Sequence, residues 1–256
     1  MRRRGSRLSK KASIPFGIAN LIDQQTRTFT GSGNYSGVAI SNDKTILYVS
    51  SQGFKHFNLN IVNPDDVNSW TLRSMSSYNS DMRGIGVNHS GTFIYRTGGA
   101  GIIEQRSLST AHDLSTQSIV GTFNTGLGGT FSGLSLSNNE MKAFATFYFA
   151  SNPSVVLELN LMSPGNIVGA TIVQTYTIAA LQRGISFSKN GYYFFTSLNT
   201  DGYVHEVTTP FTLNNPVATK ITGTFNSVGQ PGIDSNNNRI YTAVWPSSLR
   251  VHAASV

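Results

Sequence analysis

The sequence predicts an all-β protein, a five-bladed β-propeller closed by an N-terminal strand that completes the last blade. One observation is a pattern that occurs five times in the 256 residues: a glycine, a short apolar strand, a polar turn and an aromatic strand. Another is its period of 47 to 51 residues between the repeat glycines, which are Gly37, Gly84, Gly133, Gly184 and Gly232. Such a period with several short strands per repeat is typical of propeller blades. One blade cannot bury both faces, so we expect the repeats to close into a ring.

Each repeat divides into four predicted strands. The first follows the repeat glycine and is expected to line the central channel, and a polar hairpin turn such as Asn138-Asn139 leads to the second. The predicted second strands cover residues 46–50, 93–97, 143–147, 192–196 and 240–244. The predicted third strands cover residues 54–59, 102–108, 155–161, 203–207 and 249–253, with apolar alternation clearest in 155–161. The predicted outer strands cover residues 70–76, 118–124, 171–178 and 219–226.

The fifth repeat lacks an outer strand, because the sequence ends directly after its third strand. Residues 25–32 are similar to residues 219–227, so we expect them to supply the missing strand. Pairing the two ends of the chain in this way would remove an exposed sheet edge. The alternative is an open ring with a frayed N-terminal strand.

Composition and charge divide the chain into a basic arm, residues 1–15, and the propeller, residues 16–256. Apolar residues make up 39% of the chain, which is enough for a core, and charged residues only 12%, about half the typical share. The net charge is +7. Residues 1–11 hold six basic residues and no acid, which leaves 13 basic residues against 12 acidic ones in the remainder. The propeller is therefore predicted to be almost neutral.

Several classes of chemistry are disfavoured. The chain has no cysteine, which excludes disulfides and Cys-ligated metals. Its histidines show no metal-ligand spacing, and most of its acids fall in predicted hairpins or third strands, away from the axis. We therefore predict no enzyme activity, no metal and no cofactor. The sequence also has no apolar stretch long enough to span a membrane and no signal-peptide pattern at its N-terminus.

Residues 83–95 and 105–116 resemble propeller repeats of bacteriophage virion proteins, which overlap with surface-layer-type propeller repeats. Those repeats typically have Gly-x-Ser-Phe-Ser-x-Asp-Gly-Thr, an aromatic strand, and then Leu-Ser-Thr-x-Trp-Asp-Leu-Ser-Thr. Residues 183–191 match the first half, and residues 108–116 match the second half with His112 in place of the tryptophan. The resemblance covers about residues 33–256. It implies a virion component, either a head decoration or knob or a tail-associated protein, with capsid, portal or tail proteins as partners, and it carries over no catalytic residue.

The basic arm has three interpretations. It can dock on an acidic surface in an assembly, remain a solvated tail, or bind nucleic acid by neutralising phosphates. Docking is favoured, because a single short run without interleaved aromatic residues is weak support for nucleic-acid binding. The predicted anchor residues are Arg2, Arg3, Arg4, Arg7, Lys10 and Lys11.

The loops at one end of the channel form the predicted ligand face. Asp81, Arg83 and Arg183 are expected near the axis, where arginine forks suit a carboxylate, a phosphate or an acidic sugar; alternatively, Asp81 pairs with an arginine and plugs the mouth. Tyr148, Phe149 and Trp245 can stack on a sugar ring or pack between blades. We thus predict a non-enzymatic virion structural protein anchored by its arm. The alternative is a lectin-like propeller that mediates adhesion to host-surface glycans.

Overall fold

The computed structural model of the chain describes residues 20–28, 35–51, 55–77, 82–126, 128–148, 154–178, 182–198, 201–223, 230–234, 239–244 and 248–254. The described strands form five small sheets, four of them with four strands and one with five. Each inner strand contacts the inner strands of at least two other sheets, and the contacts between successive blades run once around the molecule. The five-bladed β-propeller predicted from the repeats is therefore confirmed.

The inner two strands of each blade follow the repeat pattern. The inner strands are β2 (Tyr35–Ile40), β6 (Met82–Val87), β10 (Thr130–Leu136), β14 (Gly184–Phe187) and β19 (Gly232–Asp234). The second strands are β3 (Ile46–Ser51), β7 (Phe93–Gly98), β11 (Lys142–Tyr148), β15 (Tyr193–Leu198) and β20 (Arg239–Val244). Most of the described side chains in the second strands are buried, since these strands are flanked by neighbours in their own blade and by the blades on either side.

The outer strands of blades 1 to 4 are more exposed. The third strands are β4 (Lys55–Asn60), β8 (Ile102–Leu108), β12 (Val155–Asn160), β16 (Asp201–Glu206) and β21 (Ser248–Ala254). The outer strands of blades 1 to 4 are β5 (Thr71–Ser77), β9 (Gln117–Asn124), β13 (Thr171–Thr177) and β17 (Val217–Lys220). The first three of these outer strands contain a β-bulge, a common protection of a sheet edge against further pairing.

The ring is closed by β1 (Asn20–Thr28), which pairs antiparallel with β21 as the outer strand of blade 5. Gln25 lies opposite Val251 and Thr28 opposite Ser248, so the predicted closure is confirmed. The predicted span of 25–32 begins too late, because the pairing already starts at Leu21. Residues 29–32 of that span lie outside the described residues.

The outer strand predicted at residues 219–226 is wrong in its extent. The chain leaves blade 4 after Lys220, and β18 (Thr222–Gly223) pairs parallel with β1 in blade 5. Ile221 lies at the break: its N donates to Gly202 O of blade 4, and its side chain is buried with residues of blades 4 and 5, including Tyr193 and Ile233. The short β18 becomes a fifth strand on the outer edge of the last blade.

Close approach of neighbouring inner strands explains the repeat glycine in blades 2 and 3. A Cβ atom on Gly84 would lie 2.8 Å from the carbonyl of Ser132 in the next blade. One on Gly133 would lie 2.8 Å from the backbone nitrogen of Ile185 in blade 4. These distances are shorter than normal packing allows, so the ring requires glycine at these positions.

The apolar core consists of five clusters among the described residues, one at each junction between adjacent blades. Trp70 of blade 1 and Tyr241 of blade 5, for example, pack edge to face with ring centroids 5.5 Å apart. Each cluster draws side chains from two blades. Burial of apolar surface therefore depends on the neighbouring blade, as the repeat pattern predicts.

Polar latches reinforce the first three junctions. Asn58, Gln105 and Glu158 occupy the same position of the third strand in blades 1, 2 and 3, and all are buried. Each forms a hydrogen bond with the backbone of the loop that precedes the outer strand of the next blade: Asn58 donates to His112 O, Gln105 donates to Gly165 O, and Glu158 accepts from Leu213 N. Blade 4 has Val204 at this position, so its junction with blade 5 lacks such a latch.

Candidate ligand site at the channel mouth

The inner strands begin at one end of the channel, which we call the mouth. In blades 1 to 3 the ladder between the inner and second strands slips just before the repeat glycine, leaving Ser36, Arg83 and Ser132 as bulged residues. A bulge bends its strand and changes the direction of a side chain. Arg83 thus leaves the regular ladder at the mouth, and Arg183 occupies the equivalent position in blade 4.

Hydrogen bonds between blades hold the backbone of both arginines. Ser50 Oγ of blade 1 donates to Arg83 O at 2.8 Å, and Thr146 Oγ1 of blade 3 donates to Arg183 O at 2.9 Å. Arg183 N also donates to Ser197 O at 3.1 Å. The two arginines therefore start from fixed positions on blades 2 and 4.

Both arginine side chains meet at Tyr148, the last residue of β11 in blade 3. Arg83 Nη1 donates a hydrogen bond to the hydroxyl of Tyr148. Arg183 Cζ lies 5.1 Å from the centroid of the same ring, and Arg83 Cζ lies 5.9 Å from it, within the range of cation–π attraction. We call Arg83, Tyr148 and Arg183 the mouth cluster.

The position of Tyr148 changes its expected role. The residue is only 9% exposed, and its ring is already contacted by both guanidinium groups. A sugar ring would need an open aromatic face for stacking. In this arrangement the tyrosine acts as a platform for the arginines, whereas the sequence offered stacking on a sugar ring or packing between blades.

The mouth cluster contains three of the predicted site residues. The other predicted members of the ligand face, Asp81, Phe149 and Trp245, lie outside the described residues. The same is true of the predicted anchor residues Arg2, Arg3, Arg4, Arg7, Lys10 and Lys11.

Three residues at the mouth hold buried polar atoms without a hydrogen-bond partner. They are the Nε of Arg183, the hydroxyl of Thr97 and both side-chain amide atoms of Gln182. Thr97 lies near the end of β7, and Gln182 directly precedes Arg183, so all belong to the same end of the channel. Buried polar atoms without partners are rare in folded proteins and call for an explanation.

The sequence analysis did not single out Gln182 or Thr97, although Gln182 carries a detectable signal. Two residues before the repeat glycine, blades 1 to 3 have Tyr35, Met82 and Phe131, so a glutamine in blade 4 breaks an apolar pattern. Phe131 is buried in the cluster between blades 2 and 3. Gln182 is fully buried as well, which makes its amide a polar group at a core position.

Gln230 occupies the corresponding position in blade 5, but both polar atoms of its amide form hydrogen bonds. Its Nε2 donates to Leu134 O at 2.9 Å, and its Oε1 accepts from Leu134 N at 3.1 Å. Leu134 belongs to blade 3, which is not a neighbour of blade 5 in the ring. The side chain of Gln230 therefore lies across the channel axis.

The opposite end of the channel contains a cavity of about 100 Å³, enough for a few water molecules. All five inner strands contribute to its wall, and Gln230 lines it as well. Lys44 lies at this end and donates to Ile233 O at 3.5 Å. Sequence reasoning placed ligands only at the mouth and did not predict this cavity, because its lining comes from five separate repeats.

Among the described residues, no group of three His, Asp or Glu side chains is placed to hold a metal ion together. The helical segments in the described part of the chain are single 3₁₀ turns, and none could span a membrane.

Comparisons with known proteins do not assign a family: no protein-family model matches this chain, and no curated protein matches it. Function must therefore be inferred from the repeats, the distribution of charge and the geometry of the mouth.

Proposed function

We propose that this protein is a non-enzymatic structural component of a bacteriophage particle, held there by its basic N-terminal arm while the propeller is displayed outward. The separation of charge carries the proposal. Six basic residues and no acid lie within residues 1–11, whereas the remaining chain has 13 basic and 12 acidic residues. A short positive segment of sequence on an almost neutral body suits docking on an acidic partner surface.

The outer strands offer further support for a role in an assembly. Large apolar side chains are exposed at the same register in blades 1, 2 and 3, where Leu72, Ile119 and Ile172 lie opposite Leu59, Arg106 and Leu159. Exposed apolar surface that recurs in a pattern is typical of a surface that contacts other proteins. Capsid, portal or tail proteins are the proposed neighbours, in accord with the resemblance of residues 83–116 to virion repeats.

A lectin-like role in adhesion to a host surface is the second candidate. The mouth cluster favours it, because two arginines held at the end of a rigid channel are suited to an acidic sugar. Rigid blades that carry variable loops also suit a binding module.

Deletion of residues 1–14 tests the anchoring proposal. The deletion removes all six anchor residues but leaves β1, which begins at Asn20, so we expect the propeller to fold and melt as the full chain does. Incorporation into particles, measured by co-sedimentation and immunoblotting, should be lost. A matched variant that keeps the length of the arm but replaces the six basic residues with glutamine should lose it too.

Undiminished incorporation of both variants would contradict anchoring by the arm. Loss with the deletion alone would also contradict the charge argument, since the arm would then act through its length or its apolar residues.

A further inference from the structure

We infer that the propeller binds through its base to a recess of a partner protein whose surface combines apolar and acidic groups, so that the mouth faces outward. The base is the end of the ring opposite the mouth, where the turns between first and second strands lie together with the loops that precede the outer strands. This inference rests on the proposed function for the existence of an assembly. It adds which face is covered there and what that face requires of its partner.

The first argument is the position of the exposed apolar side chains. The outer strands β5, β9, β13 and β17 expose seven large apolar side chains, and six of these lie within the first four residues of their strand. Third strands end and outer strands begin at the base, since Thr71 pairs with Asn60, which in turn pairs with Ile46 directly after a turn. Val62 and Met162, in the loops that lead to β5 and β13, are also exposed at this end.

These exposed side chains recur around the ring. We call the following residues the base rim: Val62, Leu72, Ile119, Met162, Ile172 and Val217. They are between 41% and 73% exposed and come from blades 1 to 4. Single exposed apolar residues are common, whereas their recurrence at one end of several blades is typical of a contact surface. Contact with a partner would remove this apolar area from water, which favours binding.

The second argument is the point at which the basic arm joins the ring. β1 begins at the base, because Leu21 pairs with Ala254 at the C-terminal end of the third strand β21. Lys11 is nine residues before Asn20, so the covalent chain keeps it within about 30 Å of the start of β1. The arm and the base rim therefore start from the same end of the ring, and one partner can contact both.

Together the two features select the chemistry and the shape of the partner. Residues 1–11 hold six basic residues and no acid, which favours acidic groups on the partner. The base rim lies on the perimeter of the ring, while exposed polar turns such as Asn138-Asn139 and Lys189-Asn190 surround the channel. A flat lipid surface would meet these polar turns first, whereas a recess can contact the rim from the side. A protein recess therefore suits the base better than a membrane.

Single cysteines can report which end is covered, because the chain has no cysteine of its own. Ile172 lies at the base end of β13 and Thr177 at the mouth end of the same strand, and both are exposed. We expect a fluorescent maleimide to label Ile172→Cys and Thr177→Cys at similar rates in the purified chain. In intact particles Ile172→Cys should react at least about tenfold more slowly, and Thr177→Cys should react as before.

A competition experiment measures whether the rim contributes to binding. The triple variant Leu72→Thr, Ile119→Thr and Ile172→Thr keeps residues suited to strands, and thermal melts establish that it is folded. Supplied together with the unmodified chain, it should enter particles about tenfold less. Met75→Thr is the matched control: Met75 is exposed on β5 but lies beyond the first four residues of the strand, so it should enter particles as the unmodified chain does.

Slow labelling of Ile172→Cys alone in particles, with poor entry of the triple variant, supports the inference. Equal labelling of the two cysteines in particles, or protection of Thr177→Cys, overturns it while the proposed function stands, since the chain is then in the particle but not bound by its base alone. Full entry of the triple variant, or equal loss with Met75→Thr, also overturns it. Absence of the chain from particles overturns both the inference and the proposed function.

Two further measurements separate other occupants of the rim. Slow labelling of Ile172→Cys in the purified chain, together with dimers in analytical ultracentrifugation, would assign the rim to a second copy. Protection of Ile172→Cys by vesicles of phosphatidylglycerol, without protection in particles, would assign it to lipid. Either result contradicts a partner protein at the base.

Discussion

At the scale of single residues, two glutamines at equivalent positions of blades 4 and 5 show that a buried amide can either stabilise or destabilise the fold, depending on its hydrogen bonds. Gln230 forms two hydrogen bonds with the backbone of Leu134, whereas Gln182 is buried with neither amide atom paired. An unpaired buried amide destabilises the folded state, while a paired one stabilises it modestly and is costly to remove. The same substitution should therefore have opposite effects at the two positions.

We predict that Gln182→Leu raises the free energy of unfolding by about 1 kcal/mol and that Gln230→Leu lowers it by about 2 kcal/mol or more. Leucine removes the unsatisfied amide at the first position and leaves the N–H and carbonyl of Leu134 without partners at the second. Urea unfolding monitored by tyrosine and tryptophan fluorescence measures both changes. A loss of stability of similar size in the two variants would contradict this account of Gln182.

At the scale of strands and loops, the latches of the third strands explain how one blade fixes the next. Gln105 donates to Gly165 O at 3.1 Å and accepts from Ile167 N at 2.9 Å, so it holds the corner before the outer strand of blade 3. Tyr95 donates to the same carbonyl from β7. These bonds join two blades without a shared β-ladder.

We predict that Gln105→Met, which keeps the size but removes both hydrogen bonds, lowers the free energy of unfolding by about 1–3 kcal/mol, because Ile167 N loses its buried partner while Tyr95 still donates to Gly165 O. Amide exchange should also quicken in residues 163–170. The matched control is Asn160→Ala on the exposed end of β12, which should change stability by less than about 0.5 kcal/mol. An unchanged rate of amide exchange in residues 163–170 would show that Gln105 does not hold this turn in place.

The sequence predicted those strands whose residue pattern recurs from blade to blade, and it did not predict features that occur only once. The glycine and aromatic positions recur in every blade, and they located the inner strands, while the similarity of residues 25–32 to residues 219–227 located the closing strand. The departure of the chain after Lys220 depends on the burial of Ile221 between two blades, which no local pattern marks. At the mouth, the strand positions placed Arg83 and Arg183 near each other, but their common contact with Tyr148 requires three blades to be arranged in space.

At the scale of the whole molecule, closure depends on the junction between blades 5 and 1 and on the pairing of β1. Arg239 of β20 pairs with Asp65 in a loop of blade 1, and Trp70 packs on Tyr241. β1 adds an antiparallel ladder of seven residue pairs to β21. Every blade depends on its neighbours to bury its apolar side chains. A substitution that destabilises one blade should therefore lower the stability of the other blades as well.

Buried histidines on the third strands make this ring sensitive to acid. Burial lowers the pKa of His205 to about 4, and it lowers the pKa of His56 well below its usual value, with Arg96 and Arg106 adding to the effect. His205 is held neutral, stacked on Phe194 with centroids 4.4 Å apart and hydrogen-bonded to Thr196. Below about pH 6.5 these histidines take up protons in the unfolded chain but not in the folded one, so stability present at neutral pH is lost as pH falls towards 4.

We predict that His205 alone accounts for a loss of roughly 3 kcal/mol in unfolding free energy between pH 7 and pH 4. Urea unfolding at pH 7, 6, 5 and 4 should show a shallower fall for His205→Gln than for the unmodified chain, because glutamine does not titrate. Val204→Ala is the control: it removes buried apolar contacts next to the same site, so it should lower stability by a similar amount at every pH and keep the full slope. Equal slopes for His205→Gln and the unmodified chain would show that His205 is protonated in the folded ring, which would require its surroundings to open without loss of the blades.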